Sequence, residues 1–279
     1  MMKPVFSIGP FTVYLLGLMI AIGSLIGLLL LVREAKRRGL NHKLLIDGAM
    51  YSLLGGILGA RIIYIVVYNP SYYLSNPLEM LFIFKGGLSI HGGIIGGLLV
   101  GYLFMKRYKM PIWQTLDVVA PSIILAQGIS RIGCDVFGGP ISSVLPWGME
   151  VNGEYLHPAQ VYEFLLDYLL FGYLWLRLKK VSYTGQVFLH FLIGFMSIRG
   201  TVEFFRLNPV VYGPFSVSHV MSLIGIIIGL ILIKYRKQIG SITNPNNGVR
   251  IQKTDYIKTT LSVLGLMIFS TIIYYWLHG

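Results

Sequence analysis

Long apolar runs, interrupted by short polar clusters, dominate this chain. Eight of them reach the roughly 20 residues needed to cross the hydrocarbon core of a bilayer. They cover 12–32, 45–68, 88–105, 114–130, 158–176, 184–204, 216–233 and 257–277. The pattern predicts an all-α polytopic membrane protein with seven to eight transmembrane helices and short loops. The first run, 13–32, carries no charge and no small-residue cleavage signature. It is therefore expected to stay as a span rather than to be removed as a signal peptide. The pattern also sets the organisation expected: a transmembrane domain over 1–235, a basic cytoplasmic loop over 236–256, and a last helix over 257–279.

Composition points the same way. Of the 279 residues, 55% are hydrophobic and only 12% charged, about half the charge of a typical soluble domain. A single cysteine, Cys134, excludes a disulfide scaffold and a zinc site built on clustered thiolates. The net charge of +12 would ordinarily raise nucleic acid as a partner. The placement of the charges argues otherwise. Seventeen of the 23 Lys and Arg residues lie in four alternate loops, around Arg33–Lys43, Lys106–Lys109, Arg177–Lys180 and Lys234–Lys258. The positive-inside rule puts these loops in the cytoplasm and the N-terminus outside, and with eight spans the C-terminus also ends outside. The basic excess is topogenic, and no nucleic-acid partner is expected.

Six cations break the rule: Lys3, Arg61, Lys85, Arg131, Arg199 and Arg206. Lys3 and Lys85 fall in outer loops. The four arginines fall at or just inside the outer-leaflet ends of three spans, Arg199 and Arg206 sharing one, where a buried charge is expensive. Snorkelling to headgroups is one account of each. Four at one depth favour a shared anionic ligand, and a lipid phosphate is the obvious candidate.

Four constellations could carry chemistry. In Arg199-Gly-Thr-Val-Glu203-Phe-Phe-Arg206 the spacings of four and three put two cations and one carboxylate on one helical face. Glu203 could hold the arginine planes in a bidentate pair while their other donors face a phosphate; the alternative is a structural ion pair. In His157-Pro-Ala-Gln160-Val-Tyr162-Glu163 the proline suits a first helical turn. Gln160, Glu163 and Asp167 then form a polar stripe that must avoid lipid, either bonding between helices or touching substrate. Glu163 is also a plausible partner for a buried arginine. In Gly86-Gly-Leu-Ser-Ile-His91-Gly-Gly-Ile-Ile-Gly-Gly97 the small residues four apart allow close helix packing, with His91 at the outer end as a packing residue or a base. Gly128-Ile-Ser-Arg131-Ile-Gly-Cys134-Asp135 leads into a glycine-rich loop, and Cys134 reads as a small buried residue rather than a nucleophile.

Taken in order, these strings resemble one family. Phe6-Ser-Ile-Gly-Pro10, Gly17-Leu-Met, Arg61 with Tyr64 and Tyr68-Asn-Pro precede the His91 run, Arg131-Ile-Gly, the His157 to Glu163 string and Arg199 to Arg206. The chain is similar over about 5–235 to the bacterial prolipoprotein diacylglyceryl transferases. The resemblance implies a multi-pass inner-membrane enzyme with its site toward the outer leaflet. Such an enzyme moves the diacylglyceryl group of phosphatidylglycerol to the lipobox cysteine thiol of a prolipoprotein, presented on its signal peptide, and releases glycerol phosphate. No metal or organic cofactor is implied. By position, His91, Arg131 and Arg199 would be catalytic: Arg131 and Arg199 clamp the phosphate, and His91 contacts or deprotonates the thiol. Glu203 and Arg206 would hold the clamp, with Arg61, Glu163 and Gln160 completing the substrate site. Leu16, Cys134 and Phe195 stand where the family usually has tyrosine, asparagine and tyrosine. The helix over 257–279 is additional to the usual seven. Two other readings stay open: a related lipid-headgroup transferase with another acceptor, and a non-catalytic lipid-binding or transport protein.

Overall fold

The computed structural model describes residues 3–8, 11–68, 70–82, 86–141, 145–239 and 252–279. Gly9, Pro10, Asn69 and Lys85, all named above, lie outside the described residues, as does 240–251 of the basic loop. Each of the eight apolar runs coincides with one long helix. These are α1 (Leu15–Arg37), α2 (His42–Tyr68), α4 (Ile90–Arg107), α5 (Ile112–Arg131), α6 (Ala159–Lys179), α7 (Gln186–Glu203), α8 (Val217–Ile239) and α9 (Lys253–His278). A six-residue helix, α3 (Pro70–Ser75), and a 3-10 turn over Pro77–Leu81 follow α2. Five of the long helices, α1, α2, α5, α8 and α9, are long and apolar enough on their own to cross a membrane. Large apolar side chains stay bare along them, among them Leu58 at 63% exposure and Leu230 at 55%. In water such surface would drive association; in hydrocarbon it is at home. The chain is an all-α polytopic membrane protein.

The periodicity did not announce three short antiparallel hairpins. They are β1 (Pro4–Ile8) with β2 (Phe11–Tyr14), β3 (Met149–Val151) with β4 (Glu154–Leu156), and β5 (Val210–Tyr212) with β6 (Phe215–Ser216). The first precedes α1, and the other two fall in connections that alternate with the basic ones. The β3–β4 turn is Asn152-Gly153, both at positive φ, the chemistry a two-residue hairpin turn demands.

The chain divides into two compact units, 32–115 and 1–31 with 116–279. In the first, α2 lies directly on α4. A Cβ on Gly59 would sit 2.9 Å from the Gly96 Cα, and one on Gly55 would sit 2.7 Å from the Val100 Cβ. Without side chains the two backbones touch, which maximises dispersion where no hydrophobic effect drives helices together. The second unit is built around α6, whose Phe164, Tyr168 and Leu174 are fully buried. Buried Asp117 of α5 accepts the backbone N–H groups of Gly185 at 2.7 Å and Phe188 at 3.0 Å. It thereby supplies α7 with the acceptor its first turn lacks.

Candidate active site

In the second unit the expected polar residues of three helices converge. Arg131 ends α5, and its Nη2 pairs with Glu163 Oε1 of α6 at 2.8 Å. Gln127, one turn earlier on α5, donates to the same oxygen at 3.3 Å. Glu163, Gln160 and Asp167 are wholly buried, as a polar stripe on an apolar helix has to be. Gln160 Nε2 donates to the Cys134 carbonyl at 2.9 Å, tying the start of α6 to the turn after α5. Both carboxylate oxygens of Asp167 have no hydrogen-bond partner among the described residues. Cys134 is itself buried, with its sulfur 3.8 Å from Arg131 Nη1.

The second cluster lies at the end of α7. Arg199 Nη2 stands 2.9 Å from Glu203 Oε2, and Arg206 Nε stands 4.0 Å from the same oxygen. The expected bidentate pairing does not form, because Glu203 divides its two oxygens. Oε1 instead accepts from the Ser216 hydroxyl at 2.6 Å and from Asn208 Nδ2 at 2.8 Å. Ser216 is oriented in turn by His219, whose Nδ1 accepts the Ser216 backbone N–H at 3.0 Å. Ser216, Asn208 and His219 were not among the candidates; nothing in their spacing links them to Glu203 before the β5–β6 hairpin folds back.

The two clusters are one electrostatic system. Burial lowers the Arg206 guanidinium below its ordinary range. The Arg199 and Arg131 cations push it the same way, while Glu163 and Glu203 oppose them. Arg206 thus feels the charges of both ion pairs. The side chains of Arg131, Arg199 and Arg206 keep 25%, 23% and 13% of their surface exposed, whereas Glu163 and Glu203 keep 1% each. The carboxylates are sealed, and Arg131 Nε, Arg199 Nη1 and Arg206 Nε are buried without a hydrogen-bond partner among the described residues, which leaves donors for an anion.

The glycine-rich loop closes one side. The N–H of Gly138 donates to the His157 carbonyl at 2.8 Å, and that of Gly139 to Phe205 at 2.8 Å. A Cβ on Gly138 would come within 2.9 Å of the His157 Cβ, so the loop approaches only because that residue is glycine. His157 Nδ1 lies 3.1 Å from the Tyr162 hydroxyl, which also accepts from Trp147. Among the described residues no group of three His, Cys, Asp or Glu side chains could hold a metal ion.

Arg61 and His91 belong to the 32–115 unit. Arg61 is buried, and its N–H groups serve backbone carbonyls: Met80 at 3.0 Å, Glu79 at 2.6 Å, Gly86 at 2.8 Å and Gly87 at 3.0 Å. Its guanidinium lies 5.1 Å from the Tyr73 ring centroid. Arg61 therefore staples the connection between α2 and α4. Ser89 caps α4 through Gly92 N–H, and His91 is exposed on the first turn.

Comparison with known proteins agrees with the residue-level resemblance. The sequence model of the family described as prolipoprotein diacylglyceryl transferase matches residues 3–235. A Staphylococcus haemolyticus protein named phosphatidylglycerol–prolipoprotein diacylglyceryl transferase is 36% identical over 247 residues, covering 83% of this chain and 87% of that protein. Proteins of the same name from Halalkalibacterium halodurans and from a Nostoc strain are 33% and 37% identical, over 85% and 80% of this chain and 87% and 85% of their own lengths. With the ordered motifs, the converging arginines and this extent of similarity in hand, the chain belongs to the prolipoprotein diacylglyceryl transferase family.

Proposed function

We propose that this protein transfers the diacylglyceryl group of phosphatidylglycerol to the lipobox cysteine thiol of prolipoproteins and releases glycerol phosphate. The observation that carries the chemistry is the convergence of Arg131, Arg199 and Arg206 around two sealed carboxylates, each arginine keeping a guanidinium nitrogen without a hydrogen-bond partner among the described residues. In the reaction, the acceptor sulfur forms a C–S bond to the terminal glyceryl carbon of the diacylglycerol unit. The C–O bond to phosphate breaks, and the electron pair leaves with the phosphate oxygen. The phosphodiester carries one negative charge and the departing monoester carries two once the thiol proton has gone elsewhere. Cations at the phosphate therefore gain most in the transition state, which is how fixed charges raise turnover rather than merely tighten binding.

Arg131 and Arg199 are assigned to the phosphate, with Arg206 and Glu203 holding Arg199 and with Glu163 and Gln160 holding Arg131 and its turn. His91 is assigned to the thiol proton, a transfer that suits imidazole near neutrality. Arg61 is assigned to shaping the connection that leads to His91. The site is assigned to the outer leaflet of the bacterial inner membrane, on the strength of the charge asymmetry of the loops. There the acceptor's signal helix already lies in the bilayer.

The test is direct. Purified protein in nanodiscs containing phosphatidylglycerol, mixed with a lipobox peptide, should yield a thioether-linked diacylglyceryl peptide by mass spectrometry, together with glycerol phosphate. Modification of a different acceptor, with the peptide left untouched, would replace this reading with that of a related headgroup transferase.

A further inference from the structure

The family match ends at residue 235, yet the helix beyond it reaches the site. Asp255 in the first turn of α9 pairs with Lys179 at the end of α6 at 2.7 Å. Further along, the Tyr168 hydroxyl meets Ser270 Oγ at 2.9 Å, and the Phe164 and Tyr274 rings lie 6.1 Å apart. α9 thus runs antiparallel along the length of α6, and its last turn arrives at the residues that follow Arg131.

There His278, whose side chain keeps only 4% of its surface, faces two acceptors. Its Nε2 lies 2.9 Å from the Ile132 carbonyl, and its Nδ1 lies 3.4 Å from Asp135 Oδ1. The other Asp135 oxygen accepts the Lys3 backbone N–H at 2.9 Å, and the Lys3 ammonium donates to the Leu277 carbonyl. From the opposite side Gln160 holds the Cys134 carbonyl. The turn from Arg131 to Asp135 is therefore gripped by α6 on one side and by the two chain ends on the other. Within the turn, the Arg131 guanidinium meets the Cys134 sulfur, a weak acceptor, at 3.8 Å. The direction of its guanidinium then depends on Glu163 and on whatever immobilises the turn.

We propose that α9 is a working part of the site and that His278 is a positioning residue, which fixes the Ile132–Asp135 turn and so aims Arg131 at the phosphate. This rests on the transferase reading above. His278→Ala and His278→Gln are compared with the unaltered protein in phosphatidylglycerol nanodiscs, with thioether formation and melting temperature both measured. His278→Ala should lower turnover about tenfold, the scale of a misaimed catalytic group, while His278→Gln, whose amide keeps donors for the turn, should stay within about threefold. In an Arg131→Lys background, where guanidinium aim no longer matters, His278→Ala should add less than about twofold. Tyr168→Phe loosens α9 on α6 without touching the turn and should stay within about twofold.

The proposal is overturned if His278→Ala keeps full turnover. It is equally overturned if the tenfold loss recurs undiminished in the Arg131→Lys background, or if Tyr168→Phe reproduces it, since both would mean general stability. Absence of thioether from the unaltered protein would sink the transferase reading and take this inference with it. Normal turnover alongside an indifferent His278→Ala would sink the positioning role alone.

Discussion

Glu203→Gln isolates charge from shape at the heart of the cluster. Glu203 is 1% exposed and touches Arg199 at 2.9 Å, Ser216 at 2.6 Å, Asn208 at 2.8 Å and Arg206 at 4.0 Å. Glutamine keeps the volume and one acceptor oxygen for Ser216 and Asn208, but turns N–H groups toward Arg199. Removing one partner of a fully buried ion pair costs about 3–5 kcal/mol. Arg199 keeps 23% of its side-chain surface, so water recovers part of that loss, and about 2–3 kcal/mol is the better figure. If the loss falls on transition-state alignment, turnover drops roughly 30- to 150-fold. The variant site also carries one more uncompensated positive charge. The KM for phosphatidylglycerol should therefore hold or fall while kcat collapses, which separates lost alignment from lost binding. Steady-state release of glycerol phosphate in nanodiscs, across a range of phosphatidylglycerol contents, measures both. A kcat within about threefold of the unaltered protein would refute the idea that Glu203 organises the arginines.

Arg131→Ala and Arg199→Ala should each reduce thioether formation at least about a hundredfold, the effect of deleting one preorganised electrostatic contact; near-normal product in either variant removes that arginine from the clamp. Arg61→Met should leave backbone carbonyls of the α2–α4 connection without donors, at about 1–3 kcal/mol for a buried group stranded in this way. It should show mainly as a lower melting temperature in detergent, and an unchanged melt would deny the stapling role. Gly96→Leu, placed where α2 and α4 touch through their backbones, should destabilise by at least about 1–3 kcal/mol through overpacking, read as lost protein yield or melting temperature. A reporter fused after Gly279 should give an external signal, since α9 runs antiparallel to α6 from the Lys179–Asp255 pair to the Phe164–Tyr274 contact; a cytoplasmic signal would mean that α9 does not cross.

The eight helices were legible because lipid imposes a length and an apolarity on any segment that crosses it, and neither needs a partner to be recognised. The Arg199–Glu203 pair followed from helical spacing, whereas Arg206 lies in the turn past the end of α7 and approaches Glu203 from there; the Glu163 partnership with an arginine followed from the cost of leaving either alone in an apolar helix. The glycine run of α4 announced close packing, although only the fold shows that α2 supplies the matching Gly55 and Gly59.

What the sequence could not reveal depends on contacts between residues far apart in the chain. Arg61 reads like the other intramembrane arginines. Its donors are nevertheless claimed by carbonyls 18 to 26 positions away, which become neighbours only when α2 and α4 pack. Ser216 and Asn208 are ordinary loop residues until a hairpin turns them onto Glu203, and Asp117 becomes the cap of α7 across 68 to 71 positions. His278 lies in a helix that sequence marks only as additional, 146 residues from the carbonyl it meets. Periodicity and charge bias are properties of a single segment in its solvent, so one sequence suffices to read them. The pairing of a buried polar group is chosen by geometry among many eligible partners, and tertiary packing alone makes that choice.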